Sequence, residues 1–239
     1  MKERIDKVLA DKGLVSSRSQ AKSIIENGGV TVNGVIVKKA GELIDPDALI
    51  EVQSQQFVGR GALKLEKALQ EFKVDVNNLI MLDVGASTGG FTEVLLNKGT
   101  TKVYAIDVGH DQLAAKIKND SRVVNLEGTN IKDLKDLPEL ADGAVMDLSF
   151  ISMTKVLDSV KDLLKPKGFL IALVKPQFEA GRERLPKDGV IKDPLVQEAV
   201  LHEVIQFALG HGWLHHGTID SPIEGKSGNK EFLCWFSLV

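Results

Sequence analysis

The segment from residue 79 to 91 constrains the fold more than any other part of the chain. An apolar run leads into Asp83, a turn containing Gly85 and Gly89 follows, and apolar residues at helical spacing begin with Phe91. This order predicts a buried strand, a turn and a helix. Glycine permits dihedral angles and close approaches that a β-carbon forbids, and the first N–H groups of a helix lack intrahelical acceptors. The turn is therefore expected to bind a small polar ligand.

The spacing of the glycines separates two classes of cofactor. Dinucleotide-binding folds carry Gly-x-Gly-x-x-Gly, whereas three residues separate Gly85 from Gly89. Asp107 ends the next apolar run, where a carboxylate can accept hydrogen bonds from ribose hydroxyls, although dinucleotide folds share such an acid. An ordinary strand, turn and helix with a capping Asp83 is the alternative, because short glycine motifs also occur by chance.

The pattern Asp-x-Gly-x-x-x-Gly-Gly resembles motif I of the S-adenosylmethionine (SAM) methyltransferases. The resemblance implies that SAM is the cofactor and that the acid and the turn hold its methionine part. The expected cofactor-binding residues are Asp83, Gly85, Ala86, Ser87, Gly89, Gly90, Phe91, Asp107 and Asn130.

Composition and charge limit the classes of protein to which the chain could belong. The chain has 239 residues, 43% of them hydrophobic and 26% charged, which suits one large and one small globular domain. A net charge of -3 indicates that any nucleic-acid-binding surface must be local. The single cysteine, Cys234, cannot form an internal disulfide, and the first residues lack the apolar core of a signal peptide. We expect a cytoplasmic protein without stable membrane association, since no apolar run could span a bilayer.

Residues 1–53 carry the pattern of two helices followed by a hairpin. Apolar residues recur at helical spacing in residues 3–12 and again before Gly28. Asn33 and Gly34 form a two-residue turn between short apolar runs, a combination typical of a hairpin. We therefore expect a small α+β domain here.

Basic residues are concentrated at the start of this domain. Residues 1–22 contain six basic and three acidic side chains, a local charge of +3. Arg4 and Arg18 lie off the apolar stripes, where they can face a phosphate backbone, and a solvated helical face is the alternative.

Three runs in this domain resemble the S4 RNA-binding domain: Arg4-Ile-Asp-x-x-Leu, Ser17-Arg18-Ser-x-Ala-x-x-Ile-Ile and Gly-x-Val-x-Val-Asn33-Gly34. The resemblance implies structured RNA, ribosomal in kind, as the partner. The RNA-binding residues that we expect are Arg4, Lys7, Arg18, Lys22, Arg60 and Arg182.

Polar residues 53–56 predict a domain boundary, with a linker over 54–60 and a second domain over 61–239. Apolar strands then alternate with helical segments, a pattern that specifies a parallel sheet covered on both faces. Strands are predicted near 79–84, 102–106, 122–126, 142–147 and 168–174, and helices near 89–98, 110–118, 154–164 and 194–209. Two C-terminal apolar runs fit antiparallel edge strands. The fold expected is an α/β, Rossmann-like methyltransferase domain with a mixed seven-stranded sheet.

Four side chains are candidates for the chemistry. Asp147 and Lys175 each follow an apolar run, Glu231 opens the last one, and Lys64 lies in a helical segment before the cofactor strand. Ligands of open α/β sheets bind at the carboxyl ends of the strands. A capped strand end is the ordinary alternative for either acid taken alone.

Together these residues and their neighbours match the Lys-Asp-Lys-Glu tetrad of the FtsJ-like ribose 2′-O-methyltransferases, and the chain as a whole resembles the TlyA or hemolysin A family. The family implies 2′-O-methylation of cytidine in ribosomal RNA, with ribosomal subunits as partners. Gly59 and Gly128 stand where the family usually has serine and arginine, which leaves the contacts at those positions open.

A ribose hydroxyl is a weak acid, so methyl transfer to it needs a base held in line with the donor. We expect Lys175 to be that base and Asp147 and Glu231 to orient the two amines, without a metal ion. The loop 177–194, which contains Arg182, is expected to order over a nucleotide that leaves its helix. A base-amine acceptor is disfavoured because Asp147 begins Asp-Leu-Ser-Phe, and cytosine C5 chemistry because Cys234 lies in an apolar strand. A non-catalytic ribosome-assembly factor and a membrane-lysing protein are the competing hypotheses.

Overall fold

The structure is a computed structural model that describes residues 2–15, 17–26, 28–52, 57–225 and 227–239. The chain divides into two compact units, residues 1–60 and 61–239. The predicted boundary at 53–56, which includes the first part of the predicted linker, lies outside the described residues. The exact domain limits therefore stay a prediction.

The first unit is a small α+β structure. Its elements are β1 (Glu3–Arg4), α1 (Ile5–Asp11), α2 (Arg18–Glu26), β2 (Val30–Val32), β3 (Val35–Ile36), β4 (Leu43–Ile44) and β5 (Ile50–Val52). Strand β2 lies between β3 and β5, and β1 pairs with β4. The helices bury Ile5, Leu9 and Ile25 in one apolar core. The predicted hairpin is confirmed, since Asn33 and Gly34 both have positive φ between β2 and β3.

The second unit alternates strands and helices, as predicted. Its elements are α3 (Ala62–Phe72), β6 (Ile80–Val84), α4 (Gly90–Asn97), β7 (Lys102–Asp107), α5 (Ala115–Lys118), β8 (Val123–Glu127), β9 (Ala141–Met146), a 3₁₀ turn (Met153–Lys155), α6 (Leu157–Asp162), β10 (Leu164–Val174), α7 (Pro176–Glu179), α8 (Gly181–Arg184), α9 (Pro194–Gly210), β11 (Trp213–Asp220) and β12 (Phe232–Leu238).

A seven-stranded sheet in the order β11-β12-β10-β9-β6-β7-β8 organises this unit. Strands β6 to β10 are parallel, and β12 runs antiparallel between β10 and β11. The central strands are buried almost completely, which explains their continuous apolar runs. The predicted mixed sheet is confirmed. The start of β12 consequently lies at the same edge as the ends of β9 and β10.

Two predicted helices are shorter in the structure. The prediction for residues 110–114 was wrong, because Asp111 has a φ of +53° and Ala114 has a ψ of 140°, both outside the helical range, so only α5 is helical. The helix predicted to end at 164 ends at Asp162, since Leu164 already pairs with β9. The register between β9 and β10 shifts between Leu164 and Phe169, where Lys167 has a φ of +66°. Within the described residues, no helix combines the length and the apolar character needed to cross a membrane.

Candidate functional site

Asp83 is the buried acid of the predicted cofactor turn. It lies in β6 with no exposed surface, and its Oδ2 accepts a hydrogen bond of 2.6 Å from Thr92 Oγ1 at the start of α4. Burial raises the pKa of Asp83 to about 7, although the Thr92 hydrogen bond opposes the rise. Among the described residues, nothing donates a hydrogen bond to Oδ1. A buried acceptor without a partner is costly, so a ligand that supplies a donor would be favoured here.

The two glycines of the turn are required by the packing of the protein itself. Gly85 has a φ of +88°, and a β-carbon built on it would lie 2.6 Å from the carbonyl oxygen of Asp147. Gly89 has a φ of +92°, and a β-carbon there would lie 3.0 Å from the side chains of Leu113 and Ile117. The sequence analysis attributed these glycines to ligand binding. In the structure they first make room for the loop after β9 and for the start of α5.

Asp107 joins the turn to the neighbouring strand end. Its Oδ2 accepts a hydrogen bond of 2.8 Å from the Ser87 N–H, and its Oδ1 accepts one of 2.7 Å from the Gly109 N–H. The Thr129 N–H donates to the Asp107 carbonyl, which places the segment containing the exposed Asn130 beside it. Each carboxylate oxygen has a second lone pair, so Asp107 keeps acceptor capacity for a ligand hydroxyl.

The remaining predicted cofactor-binding residues offer mainly backbone. Ala86, Gly90 and Phe91 are buried, and Gly90 is the first residue of α4. The departure from the family pattern at Gly128 has a local explanation. With a φ of +69°, its β-carbon would lie 2.3 Å from the ring of His110, which therefore occupies the space that a larger side chain would need.

The four predicted catalytic side chains form one continuous network of ion pairs. Lys64 Nζ lies 2.6 Å from Glu231 Oε2 and 3.8 Å from Asp147 Oδ2. Lys175 Nζ lies 2.5 Å from Asp147 Oδ1. The order along the network is Glu231, Lys64, Asp147 and Lys175. We call these four residues the tetrad.

The topology explains why residues so distant in sequence meet. Asp147 follows β9, Lys175 follows β10 and Glu231 precedes β12, and these three strands are neighbours in the sheet. Lys64 comes from the first turn of α3, where its N–H bonds to the Gly61 carbonyl. The tetrad therefore lies at the carboxyl edge of the sheet, next to the turn that follows β6, as predicted.

Burial sets the electrostatics of the tetrad. Lys64, Lys175 and Glu231 have exposed fractions of 5%, 6% and 3%, and Asp147 is half-buried. Two ammonium and two carboxylate groups balance in charge, which buried ionic groups need. Such a network can hold an amine at a fixed position and exchange a proton within it.

Sequence reasoning missed three residues beside Lys175. Ser149 Oγ lies 3.0 Å from Lys175 Nζ. Lys175 Nζ also lies 5.8 Å from the ring centroid of Phe178, and that ring lies 5.2 Å from the ring of Phe150. Phe150 is 91% exposed and has a φ of +65°. In the sequence, the run Asp-Leu-Ser-Phe after β9 contributed to the FtsJ-like resemblance and counted against a base-amine acceptor, but no role was assigned to its serine or phenylalanine.

In the first unit, two predicted RNA-binding arginines share one acid. Arg4 donates two hydrogen bonds of 3.0 Å to the Asp6 carboxylate, and Arg18 donates one of 2.9 Å. The hydrogen bond from Arg4 holds the pKa of the buried Asp6 at about 2, against a usual 3.8. The two arginine side chains remain 53% and 55% exposed. We call these three residues the arginine cluster.

The other predicted RNA-binding residues are arranged less specifically. Lys7 pairs with Glu3 at 2.7 Å, and Lys22 lies 3.8 Å from Glu26. Arg60 is half-buried at the end of the first unit. In the second unit, Arg182 is exposed on α8, within a segment that was predicted to be a loop and contains two short helices.

Two further predictions concern groups outside the tetrad. Burial raises the pKa of the Cys234 thiol to about 12, which disfavours a thiolate nucleophile, as expected. No three histidine, cysteine or carboxylate side chains converge as metal ligands in the part of the chain that the structure describes.

Comparisons with known proteins identify two families along the chain. The FtsJ-like methyltransferase family matches residues 57–238, and the S4 domain matches residues 3–50. Hemolysin A of Brachyspira hyodysenteriae is 44% identical over 98% of this chain and 99% of that protein. The 16S/23S rRNA (cytidine-2′-O)-methyltransferase TlyA of Mycobacterium tuberculosis is 42% identical over 97% of this chain and 88% of that protein.

A solved structure agrees with these matches. A candidate hemolysin from Streptococcus thermophilus, 40% identical, superposes with a TM-score of 0.76 over 100% of this chain and 89% of that one. The chain therefore belongs to the FtsJ-like methyltransferase family and carries an S4 domain before its methyltransferase domain.

Proposed function

We propose that this protein transfers a methyl group from SAM to the 2′-hydroxyl of a cytidine in ribosomal RNA. The observation that carries the proposal is the tetrad, in which two buried amines and two carboxylates meet beside the turn after β6. The relative named for the same reaction, at 42% identity, supports the choice of nucleotide and RNA.

The residues at the turn fit SAM as a ligand. The partnerless Oδ1 of Asp83 suits an amino group, and a cationic donor would also favour the ionised form of this carboxylate. Asp107 suits ribose hydroxyls, and Asn130 lies on the neighbouring segment. When bound, SAM supplies a methyl group on a positively charged sulfur.

Lys175, once its ammonium group has lost a proton to solvent, would accept the proton of the ribose hydroxyl at Nζ. A neutral amine has one lone pair for that proton and two N–H groups for acceptors. Asp147, at 2.5 Å, holds the amine in place and stabilises the positive charge that it gains. Proton transfer by a positioned base typically accelerates a reaction by about 10²–10⁴-fold.

Lys64 and Glu231 would hold Asp147 in turn. Lys64 bridges the two carboxylates, and its shorter contact is with Glu231. Without Lys64, Asp147 and Glu231 would lie near each other without a cation between them, which would disturb the position and charge of Asp147. Lys64 and Glu231 are therefore positioning residues in this scheme.

The arginine cluster and Arg182 would bind the RNA backbone. Exposed guanidinium groups form bidentate hydrogen bonds with phosphate, and the shared Asp6 fixes two of them near each other. The substrate nucleotide must leave its helix to bring the 2′-hydroxyl to Lys175.

The experiment is transfer of radiolabelled methyl from SAM to ribosomal subunits purified from cells that lack this protein, followed by nucleoside analysis. We expect label in 2′-O-methylcytidine with the wild-type protein and transfer at least about 10²-fold slower with Lys64→Ala or Lys175→Ala. Lys102→Ala is the matched control, because Lys102 pairs with Glu139 away from the tetrad.

Label in a base, or transfer that survives both tetrad substitutions, would contradict the proposal. Measurable SAM binding without transfer to either subunit would instead favour an RNA-binding assembly factor that keeps the cofactor fold.

A further inference from the structure

The amine of Lys175 has a second close polar neighbour, Ser149, which is not part of the tetrad. We propose that Ser149 is a positioning residue that directs the lone pair of Lys175 toward the substrate hydroxyl. This inference rests on the proposed function, because it assigns a role to Ser149 only if Lys175 accepts the proton.

The contacts of the amine are few and differ in kind. Lys175 Nζ lies 3.0 Å from Ser149 Oγ and 2.5 Å from Asp147 Oδ1. The ring of Phe178 lies farther away, with its centroid at 5.8 Å. Lys175 is buried whereas Ser149 is exposed, so the serine is the more solvent-accessible of the two.

The tetrahedral geometry of an amine relates these two contacts to the direction of its lone pair. The nitrogen is tetrahedral, and one of its four positions is the bond to Cε. In the neutral amine the other three positions are two N–H groups and one lone pair. If Asp147 and Ser149 accept the two N–H groups, the lone pair must point in the remaining direction. A base is effective only when its lone pair points at the proton that it removes.

Ser149 adds an acceptor without adding a charge. The tetrad is balanced, with Lys64 and Lys175 opposing Asp147 and Glu231, and Glu179 on α7 is engaged by Ser152 and the Met153 N–H. A further carboxylate beside Lys175 would favour the protonated amine, which cannot accept a proton. A hydroxyl oxygen accepts the N–H and leaves the charge balance unchanged.

The loop that carries Ser149 is held against α7 by residues that follow Ser149. Phe150 contacts the ring of Phe178, and the carboxylate of Glu179 accepts hydrogen bonds from Ser152 and from the Met153 N–H. Both contacts connect the loop after β9 to α7, which begins directly after Lys175. The separation between Ser149 and Lys175 is therefore set by packing and does not depend on their hydrogen bond alone.

The test compares Ser149→Ala, Ser149→Thr and Ser149→Asp in single-turnover methyl transfer to ribosomal subunits, measured as a function of pH. Without Ser149 the neutral amine can rotate its lone pair away from the substrate hydroxyl, so Ser149→Ala should lower the rate roughly 10- to 100-fold at a pH where the amine is neutral. Ser149→Thr keeps the hydroxyl and should restore most of the rate. Ser159→Ala on α6 is the matched serine control and should react at the wild-type rate.

The pH dependence distinguishes positioning from mere support of the loop. The rate profile of Ser149→Ala should move to lower pH, because the ammonium loses an acceptor, and that of Ser149→Asp should move to higher pH, because it gains an anion. SAM affinity and RNA affinity, measured by calorimetry and filter binding, should stay at wild-type values in all variants.

Three results would overturn the inference. The first is a wild-type rate for Ser149→Ala. The second is a lower rate for Ser149→Ala that Ser149→Thr does not restore. The third is a lower rate for Ser149→Ala with a pH profile identical to that of the wild-type protein. All three leave the proposed function standing, since the wild-type protein remains active. An inactive wild-type protein would overturn the proposed function and this inference with it.

Discussion

The two units of the chain each contain a network in which cations share carboxylates, and the two networks differ in exposure. In the arginine cluster, two guanidinium groups more than half exposed surround one buried acid, Asp6. In the tetrad, the buried amines of Lys64 and Lys175 alternate with Glu231 and the half-buried Asp147.

This difference indicates what each network can do. Exposed guanidinium groups keep N–H donors for a phosphate and gain only a modest stability from their acid. Buried amines have lost their water, so each depends on its carboxylate, and removal of one member leaves an uncompensated charge. One network is thus suited to bind a polyanion, and the other to control a proton.

The largest effect is expected from Lys175→Ala. Removal of the proton acceptor should reduce single-turnover methyl transfer by about 10²–10⁴-fold, while SAM binding measured by calorimetry stays unchanged. Lys102→Ala, which breaks an exposed pair with Glu139, serves as the control. An unchanged rate in Lys175→Ala would mean that the tetrad does not differ in role from a surface ion pair.

The next effect concerns stability and compares two lysines of α3. Lys64 and Lys67 lie 2.6 Å and 2.7 Å from their carboxylates, but the first pair is buried and the second exposed. Lys64→Ala should cost about 3–5 kcal/mol because Glu231 is left buried and unpaired. Lys67→Ala should cost less than about 1 kcal/mol.

Urea unfolding followed by tryptophan fluorescence measures this difference. Both tryptophans, Trp213 and Trp235, lie in the second unit, so the signal reports on the unit that contains the tetrad. Equal losses of unfolding free energy in the two variants would refute the argument from burial.

A smaller effect is expected from Arg18→Ala. If Arg18 binds a phosphate, RNA affinity should fall and the slope of log affinity against log salt should decrease by about one. Arg122→Ala is the matched control, because Arg122 donates to Asp120 and to the Leu96 carbonyl in the second unit. A salt slope equal to that of the wild-type protein would remove Arg18 from the RNA-binding surface.

The smallest effect follows from the acid of the arginine cluster. The pKa of Asp6 is about 2 in the folded chain and ordinarily 3.8, so the folded state favours the ionised form. Its stabilisation is complete above about pH 4 and is lost as the pH falls toward 2. We expect about 1 kcal/mol, because the exposed arginines are screened by water.

Hydrogen exchange of the α1 and α2 amides across this pH range measures the effect in the first unit. The wild-type protein should lose protection of these amides as Asp6 is protonated, and Asp6→Asn should not show this part of the loss. Identical pH dependence in the two proteins would show that the arginine cluster contributes no measurable stability.

Much of the second unit could be predicted because the relevant signals are local. Each strand of the parallel sheet is a continuous apolar run, and Asp147 and Lys175 are placed by the strands that they follow. Parallel strands end at one edge, so the meeting of these side chains follows from topology. The order of the tetrad, with Lys64 between two acids, depends on tertiary packing and has no local signal.

The errors have the same origin. The helix predicted from residue 110 begins only at Ala115, because the backbone leaves the helical range at Asp111 and Ala114. The Glu127 carboxylate, 14 residues after Leu113, accepts the N–H groups of this turn, a contact that has no local signal. The contact of Ser149 with Lys175 joins two loops 26 residues apart. Asp6 and its partner Arg4 are two residues apart in one motif, but the second partner, Arg18, becomes apparent only when α1 and α2 pack together.

Gly85 has a consequence for how this site can change over time. The carbonyl of Asp147 lies 2.6 Å from the place where a β-carbon on Gly85 would be, so the turn that is to hold the donor and the loop that is to hold the acceptor touch through their backbones. The backbone of either segment therefore cannot change its position unless the other segment changes as well. Sequence variation in the family should therefore be coupled across this contact, and a design that enlarges the cofactor turn would have to rebuild the loop after β9 as well.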